Sequence, residues 1–235
     1  MKLKFLGTKG EIEESSPLHQ YHSSLLVEEE SFRLLIDHGI ISQPLAKINP
    51  SAILITHGHP DHFLWLKKDA EYQGKIYVTP ETEKLSKFKK NFEIIQKNQE
   101  FKIGPFWILA YPVVHSLRAP TVGFKVTCGD IAFVYNPDIV VMEDKKVLAG
   151  VGLYIGDGSS FKANLVRKKD DQLFGHARMQ TQINWCKEFK ISEVIFTHLG
   201  KEPLEIGDQA LEKLLAQEGM TILIANDGME YQETP

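Results

Sequence analysis

Apolar and polar residues follow one another in short runs along the first third of the chain, a pattern that predicts a β-meander rather than helices. Lys2–Leu6 reads as a first strand, and Gly7–Pro17 reads as a polar loop. Ser23–Val27 and Phe32–Ile36 form a hairpin around Glu28-Glu29-Glu30-Ser31. Ala52-Ile53-Leu54-Ile55 is short, β-branched and wholly apolar, so it predicts a buried strand. Phe63–Lys68 reads as a helix with Pro60 near its first turn, where a missing N–H costs little. Lys75–Thr79, Phe92–Ile95, Glu100–Ile103 and Phe106–Val114 read as further strands, with a short helix over Pro80–Lys90. Thr121–Thr127 and Ile131–Tyr135 make a hairpin around Cys128-Gly129-Asp130, and Gly150–Ile155 is another strand. Phe161–Asp171, with Lys162, Arg167, Lys168 and Lys169, is basic and polar and reads as a solvated loop ahead of the alternative, a phosphate clamp. From Leu173 to Lys190 the period changes. Met179, Ile183, Cys186 and Phe189 recur at helical spacing, which gives that helix one core face. A strand over Glu193–Thr197, an amphipathic helix over Gly207–Gly219 and a strand over Thr221–Ala225 finish the pattern. No short-period repeat or low-complexity linker divides it, so one domain over 1–235 is expected.

Composition narrows the function classes. The chain has 235 residues and a net charge of −4, with no long block of like charge. General nucleic-acid binders are normally basic, so that class is disfavoured. Cys128 and Cys186 are isolated and fit small buried residues in a reducing compartment better than a disulfide framework. No apolar run approaches a membrane span, and the start lacks a signal-peptide pattern, so a cytoplasmic protein is expected.

The chemistry concentrates in Thr56-His57-Gly58-His59-Pro60-Asp61-His62, which packs three histidines and an aspartate into six residues at a strand end. His57 and His59 are two apart in extended backbone, so their side chains project the same way and can pinch one ion. Asp61 and His62 follow where the chain turns and can serve a second ion. Desolvation and charge repulsion disfavour such a cluster unless a cation joins it. Imidazoles with carboxylate suit zinc, manganese or iron rather than calcium or magnesium. The strand Phe106–Val114 delivers His115 to its end, a natural third nitrogen ligand beside His57 and His59.

This segment resembles the T-H-x-H-x-D-H signature of the metallo-β-lactamase superfamily, and the resemblance extends through nearly the whole chain. It implies an α/β (α+β) four-layer αβ/βα sandwich with a dinuclear metal site at one edge of two sheets. Its pseudo-symmetric halves are expected to meet near residues 115–140. Leu34-Leu35-Ile36-Asp37-His38-Gly39 resembles the family's L-L-I-D-x-G, making Asp37 a buttress under the metal loop. Tyr135-Asn136-Pro137-Asp138 lies where relatives carry Y-x-x-D, whose aspartate bridges both metals, with Asp157 as its competitor. Thr197-His198 resembles the final metal motif and would complete the second ion's set. Gly175-His176-Ala177 resembles the G-H-x-x-x-x-x-A segment of tRNA 3′-processing endonucleases and phosphonate-pathway phosphodiesterases, which places a histidine over the leaving group. The later small residue is here Gln182, so the match is partial. Asp227-Gly228-Met229 resembles the D-G-M ending of the same branch.

The expected metal ligands are therefore His57, His59, Asp61, His62, His115, Asp138 and His198. Asp61 and His176 are the expected catalytic groups. Arg118 is a candidate phosphate contact and His22 a reserve pocket residue, whereas His19 reads as a solvated loop histidine. The implied activity is hydrolysis by a hydroxide activated between two ions of zinc or manganese, with iron as a further choice. A small phosphodiester or cyclic nucleotide-like substrate comes first. Hydrolysis of a lactone, thioester or other carbonyl ester is the alternative, and an inactive metal-binding module is the third class. Only 22 residues lie between His115 and Asp138, which leaves no room for a tRNA-gripping arm. No membrane partner is expected, and a homodimer is left open.

Overall fold

Segments such as Leu34-Leu35-Ile36 and Ile53-Leu54 have no polar face, so each strand needs cover on both sides. The fold supplies that cover. The computed structural model of the protein describes residues 1–232. The first sheet is built from β1 (Lys2–Gly7), β2 (Ser24–Glu29), β3 (Phe32–Ile36), β4 (Ala52–Leu54), β5 (Lys75–Val78) and β6 (Phe92–Ile94). The second contains β7 (Glu100–Ile103), β8 (Phe106–Val114), β9 (Thr121–Cys128), β10 (Ile131–Tyr135), β11 (Val141–Met142) and β12 (Leu153–Asp157). A separate hairpin, β13 (Arg167–Lys169) and β14 (Gln172–Phe174), precedes β15 (Glu193–Thr197) and β16 (Thr221–Ile224) of that second sheet. β17 (Glu230–Gln232) returns to pair with β1.

In the first sheet β1, β2 and β3 are antiparallel, and β3 through β6 are parallel. The second repeats the scheme, with β7 to β10 antiparallel and β10, β12, β15 and β16 parallel. Alternation along each strand then sorts the side chains. Leu34 and Ile36 enter the core between the sheets with Phe133, Leu153 and Ile195, while Leu35 and Ile53 face an outer core. Helices α1 (Leu45–Ile48) and α2 (Pro80–Leu85) belong to the half of the chain that builds the first sheet. Helices α3 (Met179–Glu188), α4 (Lys201–Ile206) and α5 (Asp208–Leu215) contribute to the outer core of the second, where Ile183, Leu204 and Leu211 pack with Tyr154 and Phe196. The result is a four-layer αβ/βα sandwich. No described helix is long and apolar enough to cross a membrane.

Four details differ from the sequence reading. The sheets change over between Ile94 and Glu100, not near residues 115–140. Phe63–Lys68 makes only a single 3₁₀ turn at Leu64–Leu66, because Phe63, Leu64 and Trp65 are all drawn into one outer core and leave no polar helix face. The basic stretch before residue 172 ends in strand β13 rather than loop. Asp170 and Asp171 take φ of 48° and 63°, the two left-handed conformations that a two-residue hairpin turn requires. The following helix accordingly starts at Met179, since Phe174 ends β14 and Gly175 holds φ at 109°.

Candidate metal centre

Carboxyl ends of parallel strands are where open α/β sheets place their ligands, and the candidate residues gather there. Asp37 follows β3, the His57–His62 loop follows β4, Asp138 follows β10, Asp157 ends β12 and His198 follows β15. His115 arrives at the end of β8. Two groups form. His57, His59 and His115 offer ligand atoms within 4.8 Å of one another, and so do Asp61, His62, Asp138 and His198.

Each of the five imidazoles in these groups has one nitrogen engaged behind it and the other turned inward. Thr56 Oγ1 donates to Asp37 and can accept from His57 Nδ1 at 3.0 Å, which leaves Nε2 facing the cluster. His62 Nδ1 donates to Asp37 Oδ2 at 2.8 Å. His115 Nδ1 donates to the Gly175 carbonyl at 2.9 Å. Ser159 Oγ donates to the His198 carbonyl and stands 2.9 Å from its Nδ1, where it can accept that ring proton. His59 turns Nε2 to Ser116 Oγ at 3.2 Å, so its Nδ1 lies 3.4 Å from His115 Nε2. Two inward lone pairs that close repel unless a positive charge sits between them. Such outer hydrogen bonds fix the tautomer and raise the donor strength of a metal-binding imidazole. Asp37 buttresses the loop as expected from its position, also accepting from the Thr56 backbone N–H at 2.8 Å.

Asp138 lies between the groups. Its Oδ2 is 2.7 Å from His62 Nε2, 3.3 Å from His198 Nε2 and 3.7 Å from His57 Nε2, and its Oδ1 is 3.5 Å from His115 Nε2. The buried atoms without a hydrogen-bond partner include both oxygens of Asp138, Oδ1 of Asp61, and the Nε2 atoms of His57 and His62. Buried polar atoms are normally satisfied, and so many orphans in one place fit a pair of divalent cations. Asp157 behaves differently. Its oxygens accept from the backbone N–H groups of Ser159 and Ile139 and from His176, so they are already occupied.

The electrostatics divide along the same line. Burial pushes His57 far below the ordinary imidazole range and His59 down to about 4. At His198 burial also disfavours the charged ring, but Asp138, Asp157 and Asp61 outweigh it and lift the group to about 10. His62 is likewise raised, against burial, by Asp61, Asp37 and Asp138. Burial works against ionised Asp138 too, yet His115, His198 and His62 hold it well below the carboxylate range. Protons thus occupy, in the metal-free protein, places where the carboxylates can hold cations.

His176 stands at the mouth of the cluster with about a fifth of its side chain exposed. Its Nδ1 meets Asp157 Oδ2 at 2.8 Å and Asp138 Oδ1 at 3.2 Å. Burial lowers its pKa, but Asp157 and then Asp138 leave it raised. Its distances would also allow it to share an ion with His115 and Asp138, or with Asp157 and His198. Gln182, one turn into α3, holds the supporting strand. Its Nε2 donates to the Asp157 carbonyl at 2.7 Å, and its Oε1 accepts from Asp157 N at 2.9 Å and Tyr154 Oη at 3.1 Å.

The cluster opens into a cleft of about 570 Å³ whose lip includes Gly10, Glu11 and Ile12. Lys9, itself buried, shapes that lip by donating Nζ to the carbonyls of Ile12 and Glu14. Arg118 reaches a second cleft that shares His59, His115 and His176 with the first. His22 lines neither cleft. It is buried behind the Lys9 segment, its backbone N–H donating to the Ile41 carbonyl, and its Nδ1 is buried without a hydrogen-bond partner. His19 is buried as well, not solvated, because it bridges Thr8 and Asp208. Asp227 of the D-G-M segment pins the same loop, accepting from Thr8 Oγ1 and from the N–H groups of Gln20 and Tyr21. The sequence assigned no supporting role to Ser159, the Gly175 carbonyl, Gln182 or Lys9. Their partners lie 39, 60, 25 and 3 or 5 residues away, and only the Lys9 contacts are local enough for spacing to have suggested them.

Residues 37–199 match the family described as the beta-lactamase superfamily domain. A metal-dependent hydrolase from Carboxydothermus hydrogenoformans is 27% identical over 168 residues, 64% of this chain and 68% of that protein. The metallo-beta-lactamase fold protein YhfI from Bacillus subtilis has a similar structure, with a TM-score of 0.75 at 19% identity over 98% of each chain. A diphosphatase from the PhnP family gives a TM-score of 0.71 at 15% identity over 99% of this chain and 98% of that one. At such identities the two structures speak for the fold alone. The family match, spanning Asp37 to Leu199 and so every residue of both ligand groups, makes this chain a member of the beta-lactamase superfamily with two clusters fit for a dinuclear, hydrolytic metal site.

Proposed function

We propose that the protein is a dinuclear metal-dependent phosphodiesterase acting on a small phosphodiester. His57, His59 and His115 would hold one ion, Asp61, His62 and His198 the other, and Asp138 both. Bound there, zinc or manganese would supply Lewis-acid polarisation and a nucleophile competent at neutral pH. Asp61 lines the cleft and keeps Oδ1 without a partner, an acceptor for the proton of the attacking water. The water oxygen bonds to phosphorus, the ester P–O bond breaks, and His176 gives its Nε2 proton to the departing oxygen.

The observation that carries the reading is the His176–Asp157 pair. An imidazole held at Nδ1 by a saturated carboxylate presents Nε2–H to the cleft as a general acid, which a poor alkoxide leaving group needs. The PhnP-family diphosphatase of the same fold acts, by its name, on phosphoryl bonds, which adds weight. The test is turnover of bis(p-nitrophenyl) phosphate against a panel of lactones and thioesters, with zinc and with manganese. Hydrolysis of the diester is expected, and His176→Ala should lower turnover of a dialkyl diester, whose alkoxide needs the proton, about 100-fold, and of the p-nitrophenyl diester much less, while metal content stays at the wild-type level. Turnover confined to the carbonyl esters would overturn the phosphodiester reading, and no turnover in any metal-loaded form would leave a binding module.

A further inference from the structure

The cleft around the metal cluster has two lobes of opposite charge. On one side, beyond the candidate ligands, stand Glu11, Glu202 and Glu205 with Lys201. On the other, a space of about 570 Å³ behind His176 is walled by Arg118, Arg167 and Lys169 and contains no carboxylate. The hairpin produces this arrangement. Side chains alternate across a strand, so Arg167 and Lys169 of β13 share the face that lines the lobe. Lys168 falls on the other face, where it pairs with Asp171 at 2.7 Å. No carboxylate of the described residues comes within the 4.0 Å of an ion pair with Arg118, Arg167 or Lys169. Three unpaired cations converging on one concave space, in a chain of net charge −4, form a local field that attracts an anion. The lobe begins at His59, His115 and His176, so whatever fills it is joined to the reacting centre.

We propose that this lobe binds a second anionic group, a phosphate or a carboxylate, carried on the leaving arm of the substrate. The inference rests on the phosphodiester reading and narrows it. The substrate is a diester whose departing alcohol bears its own negative charge, which Arg118 and Arg167 can grip in bidentate fashion and Lys169 as a point charge. His176, standing between the lobes, then meets the ester oxygen at the root of that arm.

Three aryl methyl phosphates with a plain, a carboxyl-bearing and a phosphoryl-bearing aryl arm provide the test, with the metal-loaded protein. Wild type should prefer a charged arm by about ten-fold or more in kcat/KM, and Arg167→Ala/Lys169→Ala should bring that ratio close to one. The charged arm that is preferred identifies the anion. A ratio unchanged in the double variant overturns the proposal, whereas an equal loss on all three esters marks a structural defect and overturns it as well. The free aryl phosphate and aryl carboxylate, titrated calorimetrically, separate the two readings. If no diester is hydrolysed the phosphodiester reading fails, and the lobe is still decided. Fragment binding weakened about ten-fold in the variant supports it, and binding unaffected by the variant refutes it.

Discussion

Gln182 illustrates how one side chain can support chemistry that it does not touch. A smaller residue there would leave Asp157 N, the Asp157 carbonyl and Tyr154 Oη without their partner. Gln182→Leu should therefore cost about 2–3 kcal/mol in urea denaturation, the penalty for stranding buried polar groups. It should also lower turnover with metal content unchanged, since Asp157 would hold His176 less firmly. The sequence could not show this. Measured against G-H-x-x-x-x-x-A, Gln182 is a mismatch, yet Gly156 across the gap makes room for it. A Cβ at residue 156 would stand 2.5 Å from Gln182 Oε1. By contrast His57, His59, Asp61 and His62 were legible because a strand end followed by a tight loop gathers them locally. Asp138 and Asp157 could not be ranked from sequence. What sets them apart is that backbone N–H groups and His176 hold the Asp157 oxygens, whereas those of Asp138 face the imidazoles of the cluster, and only the fold reveals this.

The same division between local and remote causes holds for the elements. Strands with two apolar faces announce themselves, and most lie within a few residues of the sequence expectation. The short helices α1 and α4, strand β17 and the β13–β14 hairpin do not, because each exists through what it docks against. The hairpin is the consequential case. It ends at Gly175, whose N–H donates to the His115 carbonyl and whose carbonyl receives His115 Nδ1, so one residue registers the hairpin, a candidate ligand and the adjoining His176 together. A Cβ there would lie 2.0 Å from the Leu165 carbonyl, and φ of 109° disfavours any side chain. Gly175→Ala should keep the overall fold by circular dichroism but reduce diester turnover by about ten-fold or more, as small misplacements at a reacting centre do. A variant with full activity would show that His176 needs no such register.

At the scale of the whole molecule, loading the centre with metal would exchange protons for cations. His198, lifted to about 10, and His62, also raised, carry protons in the metal-free protein near neutrality, and a metal can bind their Nε2 atoms only after those protons leave. A group whose folded pKa is raised is charged below that pKa, so apparent metal affinity should climb with pH until about 10 and then level off. Calorimetry of zinc binding near pH 8, in buffers of different ionisation enthalpy, should register more than about one proton released per protein. Zero release would mean that both rings are already neutral and that the carboxylates do not hold charge as described.

Each ligand group also draws on both sheets. His57 and His59 belong to the first and His115 to the second, and Asp61 and His62 are met by Asp138 and His198 from across the sandwich. A cation in either place is consequently a rivet through the seam of the molecule. Stripping it with a chelator unfastens that rim first, so amide exchange after β4, β10 and β15 should quicken before the apolar centre of the sandwich gives way.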